Sequence, residues 1–118
     1  MLLIKHAVVD LGIQAQLVGI DKSKYFGNGH EHYLHHAMAT LVVAGLFLPI
    51  IPAIMIMVFD YIIHWHIDYT KHKFNRLLKI ESRTPAWWWT NVIDQCLHFL
   101  TYYLIAMYAS ALSFFWLV

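Results

Sequence analysis

From His32 to Phe59 the chain carries no Asp, Glu, Lys or Arg, and Pro49 and Pro52 stand in the middle of this run. Each proline disfavours helix at the residue before it, so the pair brackets a tight apolar turn between two apolar helices. A hairpin of that kind has no water-facing side to offer. A membrane-spanning helix needs about 20 mostly apolar residues at about 1.5 Å each, and the two arms approach that length. Composition points the same way: 60% of the residues are hydrophobic and 13% are charged, against about 25% charged in an ordinary soluble domain. With 118 residues and aromatic side chains at 16%, the expectation is an all-α polytopic membrane protein. It is read as one integral membrane domain over residues 1–118, a four-helix transmembrane bundle with a helix 2–helix 3 hairpin.

The spans are expected at about residues 2–18, 32–48, 52–71 and 86–117. The N-terminal run resembles a signal peptide at first sight. It holds His6 and Asp10 and has no small-x-small cleavage site, so it is read as a retained first helix. A polar loop with Gly27, Asn28 and Gly29 follows it. Pro52 suits the first position of helix 3. A basic stretch, KHKFNRLLKIESR, separates helices 3 and 4, and the fourth helix is long enough to require tilt or an interfacial first turn. No internal repeat or low-complexity tract is present, and the single cysteine, Cys96, is expected to be a small buried apolar residue. One cysteine excludes a disulfide framework and a Cys-rich zinc site. A net charge of +1 gives no reason to expect a nucleic-acid partner.

Seven of the eight Lys and Arg residues fall in two loops: Lys22 and Lys24 in the first, Lys71, Lys73, Arg76, Lys79 and Arg83 in the second, with Lys5 the exception. By the positive-inside rule both loops are cytoplasmic and both termini face outward across the inner membrane. Trp87, Trp88 and Trp89 would anchor the cytoplasmic interface, and Phe115 and Trp116 the far one.

Against this apolar background the ionisable residues are costly, and each is a functional candidate. They recur at one spacing: His6 and Asp10, His32 and His36, His64 and Asp68, Asp94 and His98 are all i, i+4 pairs, one per helix. That spacing puts both side chains on one face, one turn apart, where two ligands can hold one metal ion. With the topology above, the four pairs converge in the cytoplasmic leaflet. Five His and three Asp exceed one tetrahedral zinc and suit two divalent ions, with zinc, manganese or iron all compatible. Gln14 and Gln95 are candidates for orienting ligands or water, and Lys71 for meeting an anionic substrate group. His30, His66 and His72 are read as interfacial, and His35 as an alternative ligand to His32 or His36.

The ordered set H-x3-D-x3-Q at His6, Asp10 and Gln14, H-x3-H at His32 and His36, H-x-x-I-D-x-x-K from His64 to Lys71, and D-Q-x-x-H at Asp94, Gln95 and His98 resembles a family. It is the bacterial and phage membrane-protein family catalogued as domain of unknown function 3307. The resemblance covers nearly the whole chain; Leu11 stands where the family tends to have Phe, and the HEHYLHH segment is its own. It implies the architecture and the chosen residues and brings no activity with it.

The functional expectation is a membrane-embedded, metal-dependent hydrolase acting at the cytoplasmic leaflet on a phosphoester or ester. Asp10, Asp68 and Asp94 would be ligands or base, assisted by Gln14 and Lys71, and the substrate would be an anionic lipid or a nucleotide. The alternatives are a small non-enzymatic membrane effector of phage or defence type whose polar residues only pack the helices, and a metal-ion or proton transporter. The lipid bilayer is the expected surrounding, and a homo-oligomer is compatible with so small a bundle.

Overall fold

The computed structural model describes residues 1–13 and 21–117, with side chains at 1–12 and 21–114. Its described residues are all helix, turn and loop, with no strand. Helix α1 (Leu2–Val8) passes directly into a π-helical turn, Val9–Ile13; α2 is Gly29–Gly45, α3 Ile50–Leu77 and α4 Pro85–Leu117. Two of these, α3 and α4, are long and apolar enough to cross a membrane. The far end of the first helix, with Gln14, lies outside the described residues, as do the Phe115 and Trp116 side chains.

The helix ends follow local chemistry. Thr84 caps α4 by accepting the Trp87 N–H at its hydroxyl, 3.3 Å, and the Trp88 N–H at its carbonyl, 3.1 Å, and Pro85 takes the first position, where a missing N–H is harmless. At the start of α3, Pro49 is the cap and Pro52 stands third rather than first. It remains within the first turn, whose N–H groups have no helical partner anyway. Helix α2 starts at Gly29, three residues before the expected His32, because Asn28 and Gly29 end the loop there. It stops at Gly45 rather than Leu48, since Leu46 to Leu48 form the turn into Pro49.

The largest correction is at the end of α3, expected near Lys71 and found at Leu77. The segment KHKFNRLL has neither Gly nor Pro, and most of its residues are sound helix formers. It ends in a Schellman motif: the Lys79 N–H donates to the Arg76 carbonyl, 3.3 Å, and the Ile80 N–H to the Asn75 carbonyl, 2.9 Å. Lys79 occupies the left-handed position with φ 52°. Three of the five second-loop cations, Lys71, Lys73 and Arg76, are therefore helical, and the loop shrinks to residues 78–84.

Burial is inverted relative to a water-soluble bundle. The buried stripe of α3 reads Ala53, Ile56, Asp60, His64, Asp68, and that of α4 reads Asp94, His98, Thr101, Tyr102, Ile105. Leucines, isoleucines and phenylalanines cover the outside: Val92, Ile93, Phe99, Leu100, Leu104 and Met107 of α4 are all exposed. Cys96, expected inside, is exposed as well. It follows Asp94 by two residues, about 200° around the helix from the buried stripe. The core has two storeys. Ala44, Leu48, Ala53, Ile56, Tyr102 and Ile105 pack at the end of the α2–α3 hairpin, and the ionisable residues fill the other half.

Candidate metal centre

Each of the four helices contributes its i, i+4 pair to that polar half, and the eight side chains meet. The rings of His36 and His64 stack at 4.0 Å, His64 meets His98 at 4.2 Å, His32 meets His36 at 4.5 Å, and His6 lies 4.9 Å from His36 and 5.0 Å from His98. All five imidazoles are buried. The π-helical turn inserts its extra residue just where Asp10 must face the bundle, a common place for such a turn at a working site. The carboxylate of Asp10, the least buried of the eight at 26% side-chain exposure, accepts from His36 Nε2, 2.9 Å, and lies 3.1 Å from His6 Nε2 and 3.5 Å from His32 Nε2.

Lysines from three places hold the aspartates. Lys22 Nζ donates to Asp68 Oδ2 at 2.6 Å, and Lys71 Nζ to Asp94 Oδ2 at 3.0 Å and Asn91 Oδ1 at 3.4 Å. Deeper in the bundle, Lys5 Nζ donates to Asp60 Oδ2 at 3.0 Å and to the His36 carbonyl at 3.1 Å, while Thr40 Oγ1 donates to the same carboxylate at 2.5 Å. Lys71, expected to be available to a substrate, is thus engaged by Asp94, and Lys22, expected as a surface charge, is buried on Asp68. Gln95 Nε2 donates to Asp94 Oδ2 at 3.3 Å.

Local spacing did not single out Lys5, Thr40, Asp60, Tyr33 or Tyr102. Asp60 was within reach of the same rule, since it precedes His64 by four residues and continues the Asp60–His64–Asp68 stripe. Tyr102 follows His98 by four in the same way, and hydrogen-bonds His6 Nδ1 at 2.9 Å.

Among the described residues, four groupings bring three ligand atoms within 4.8 Å of one another: His6, His36 and His64; Asp10, His32 and His36; His32, His64 and Asp68; Asp68, Asp94 and His98. Asp68–Asp94–His98 shares no residue with either of the first two, so the cluster offers separate ligand sets for two ions, with Asp10–His32–His36 the second set that includes a carboxylate. His32 joins them, its Nε2 standing 3.5 Å from Asp10 Oδ1 and 3.6 Å from Asp68 Oδ2. Among the described residues His35 belongs to none of the groupings.

The last grouping is the most telling. His98 Nδ1–H donates to the Asp94 carbonyl at 2.8 Å, so in the neutral ring Nε2 carries the lone pair, in the way a hydrogen bond at one ring nitrogen sets the other as the ligand in metal-bound histidines. That Nε2 faces Asp68 Oδ1 at 3.6 Å, and neither it nor Asp94 Oδ1 makes a hydrogen bond among the described residues. Buried acceptors facing one another repel unless a cation or a proton stands between them. The donor set fits a divalent ion with mixed imidazole and carboxylate ligands.

His30 and His66 are bonded outside the cluster. His30 Nε2–H donates to the Tyr25 carbonyl at 3.0 Å and its Nδ1 pairs with the Tyr61 hydroxyl at 2.6 Å, and His66 Nδ1–H donates to the Ile62 carbonyl at 2.6 Å. Tyr25 packs between Trp65 at 4.6 Å and Tyr69 at 5.1 Å, which straps the first loop to α3. Within that loop the Asp21 carboxylate accepts from the Ser23 hydroxyl at 2.6 Å and the Ser23 N–H at 3.0 Å. These bonds favour its charged form and hold its pKa below the usual carboxylate value.

No curated protein and no solved structure matches this chain. The family model described as "Protein of unknown function (DUF3307)" matches residues 1–117, and the chain belongs to that family.

Proposed function

We propose that the chain is a four-span bundle of the cytoplasmic membrane whose polar half is a divalent-metal centre for hydrolysis of an ester or phosphoester in the cytoplasmic leaflet. The observation that carries the reading is the convergence of Asp68, Asp94 and His98, one ligand atom of each within 4.8 Å of the others, where buried His98 Nε2 and Asp94 Oδ1 make no hydrogen bond among the described residues. The inverted burial supports the bilayer: an apolar exterior over paired charges suits lipid and is unfavourable in water. In this topology the basic loops are cytoplasmic and both termini face outward.

A bound ion would polarise the scissile group and lower the pKa of water toward neutrality. The chain's own residues supply the rest. Asp68, Asp94 and His98 form one ligand set and Asp10, His32 and His36 the other. Asp10, the most exposed of the three ligand carboxylates, is placed as general base. Water adds to the phosphorus or acyl carbon as one of its protons passes to Asp10, the ester bond breaks, and Asp10 returns that proton to the departing oxygen, which leaves as the alcohol. Lys71 and Lys22 hold Oδ2 of Asp94 and Asp68 and so fix both carboxylates at the centre.

A second reading is favoured by the lysines themselves: with Asp60, Asp68 and Asp94 each paired to an ammonium, the polar half is a metal-free packing core in a non-enzymatic effector. Transport is less favoured, because the hairpin half of the core is apolar.

Elemental analysis of detergent-purified wild type beside Asp68→Ala separates the two. Near-stoichiometric zinc, manganese or iron in the wild type, lost in the variant, is the expected result. Two folded proteins without metal after incubation with saturating ion would sink the metal centre and leave the packing core.

A further inference from the structure

A groove of about 320 Å³ runs along the seam of α3 and α4, walled by Ile63, Ile67, Phe74, Ile93 and Leu97, with Lys71 and Asp94 in its lining. Its two ends differ. Toward the loops it meets Thr70, Thr90 and Phe74, with Lys73 and Arg76 close by on α3 but outside the lining; toward the hairpin it is lined by Ile63, Leu97 and His66, whose Nδ1–H is held by the Ile62 carbonyl at 2.6 Å. Asp94, which is itself buried, joins this groove to the Asp68–Asp94–His98 ligand set, and its Oδ1 makes no hydrogen bond among the described residues.

We propose that this groove is the lateral port through which a lipid phosphoester reaches the centre from the bilayer. This rests on the hydrolytic reading above and adds its substrate class. The acyl chain lies on Ile63, Ile67, Ile93 and Leu97, and the anionic headgroup lies at the loop end. Polarity changes along the length: Ile63, Ile67, Ile93 and Leu97 lie at the depth of the acyl chains beside His66, Lys73 and Arg76 stand in the last turns of α3 at headgroup depth, and the reacting bond lies between them at the level of Lys71 and Asp94. A nucleotide has no apolar segment for the deep end and would leave it empty, whereas a single acyl chain fills it.

The test uses full-length protein in vesicles of phosphatidylcholine containing a phosphatidic acid with a mid-chain photoactivatable diazirine. Adducts are mapped by mass spectrometry in wild type, in Leu97→Trp, which fills the groove, and in Leu100→Trp, which adds the same bulk on an exposed position. The expected outcome is labelling concentrated on Ile63, Ile67, Ile93 and Leu97, reduced at least tenfold in Leu97→Trp and retained in Leu100→Trp. Labelling spread evenly over exposed positions such as Val92 and Leu104, or undiminished in Leu97→Trp, overturns the port. Metal content and turnover of water-soluble p-nitrophenyl phosphate are read in parallel. Groove labelling in a protein with no metal and no turnover fails the hydrolytic reading while the lipid site stands. Diffuse labelling in an active metalloprotein fails the port alone.

Discussion

Lys5 is the Lys or Arg that lies outside both basic loops, and its position is explained by Asp60, whose carboxylate it shares with Thr40. Both partners are almost wholly buried. Removing one member of such a pair leaves an uncompensated charge, which destabilises by about 3–5 kcal/mol, whereas replacing both with apolar residues is often near neutral. Lys5→Met is therefore expected to unfold at much lower denaturant in SDS-titrated mixed micelles, with Lys5→Met/Asp60→Leu recovering most of the loss. A double variant no better than the single would mean that Asp60 is not the reason the lysine is there. A second prediction concerns Asp94. In Asp94→Asn the shape is kept and the charge is lost, so bound metal should fall to background. Gln95→Ala, which removes only a hydrogen bond to Oδ2, should bind the ion about 10–100-fold more weakly. Equilibrium dialysis against the ion distinguishes the two variants, and equal retention in both would remove Asp94 from the ligand set.

Helix pairs were legible because i, i+4 spacing is local, and one turn of helix suffices to see that His64 and Asp68 share a face. The ion pairs were not, because Lys5–Asp60, Lys22–Asp68 and Lys71–Asp94 join positions 55, 46 and 23 residues apart, and a lysine in a loop reads first as a topological charge. Asp60 and Tyr102 lay one further step along stripes already recognised. The end of α3 was missed for a different reason: a run of cations at a membrane surface looks like a loop by charge, yet nothing in KHKFNRLL breaks a helix, and the stop comes only at Lys79. A residue with a β-carbon in the left-handed region is strained by about 1–2 kcal/mol relative to glycine. Lys79→Gly is accordingly expected to raise the midpoint of thermal unfolding in detergent, by an amount corresponding to about 1 kcal/mol, while Ser82→Gly in the same loop gives no such gain. A lowered midpoint for Lys79→Gly would show that the lysine side chain contributes more than the strain removes.

For the molecule as a whole, an apolar exterior around a charged interior has a consequence that its single cysteine can report. Cys96 is exposed on α4, eleven residues past Pro85, and therefore about 16 Å along the axis from the start of that helix. In water an exposed thiol at that position would react freely. In the proposed bilayer placement it faces hydrocarbon, which a charged, membrane-impermeant maleimide does not enter. Ser82, in the loop before α4, is exposed and in that placement meets the cytoplasm. In inside-out vesicles a membrane-impermeant maleimide should modify Ser82→Cys in a Cys96→Ser background within minutes and leave the native Cys96 unmodified until the membrane is dissolved in denaturing detergent. In right-side-out vesicles neither should react. Modification of Cys96 at the rate of Ser82→Cys would place α4 in water and remove the bilayer from the account. Modification of Ser82→Cys only from the outer face would keep the bilayer but invert the bundle, which moves the polar half, and any chemistry in it, to the opposite leaflet.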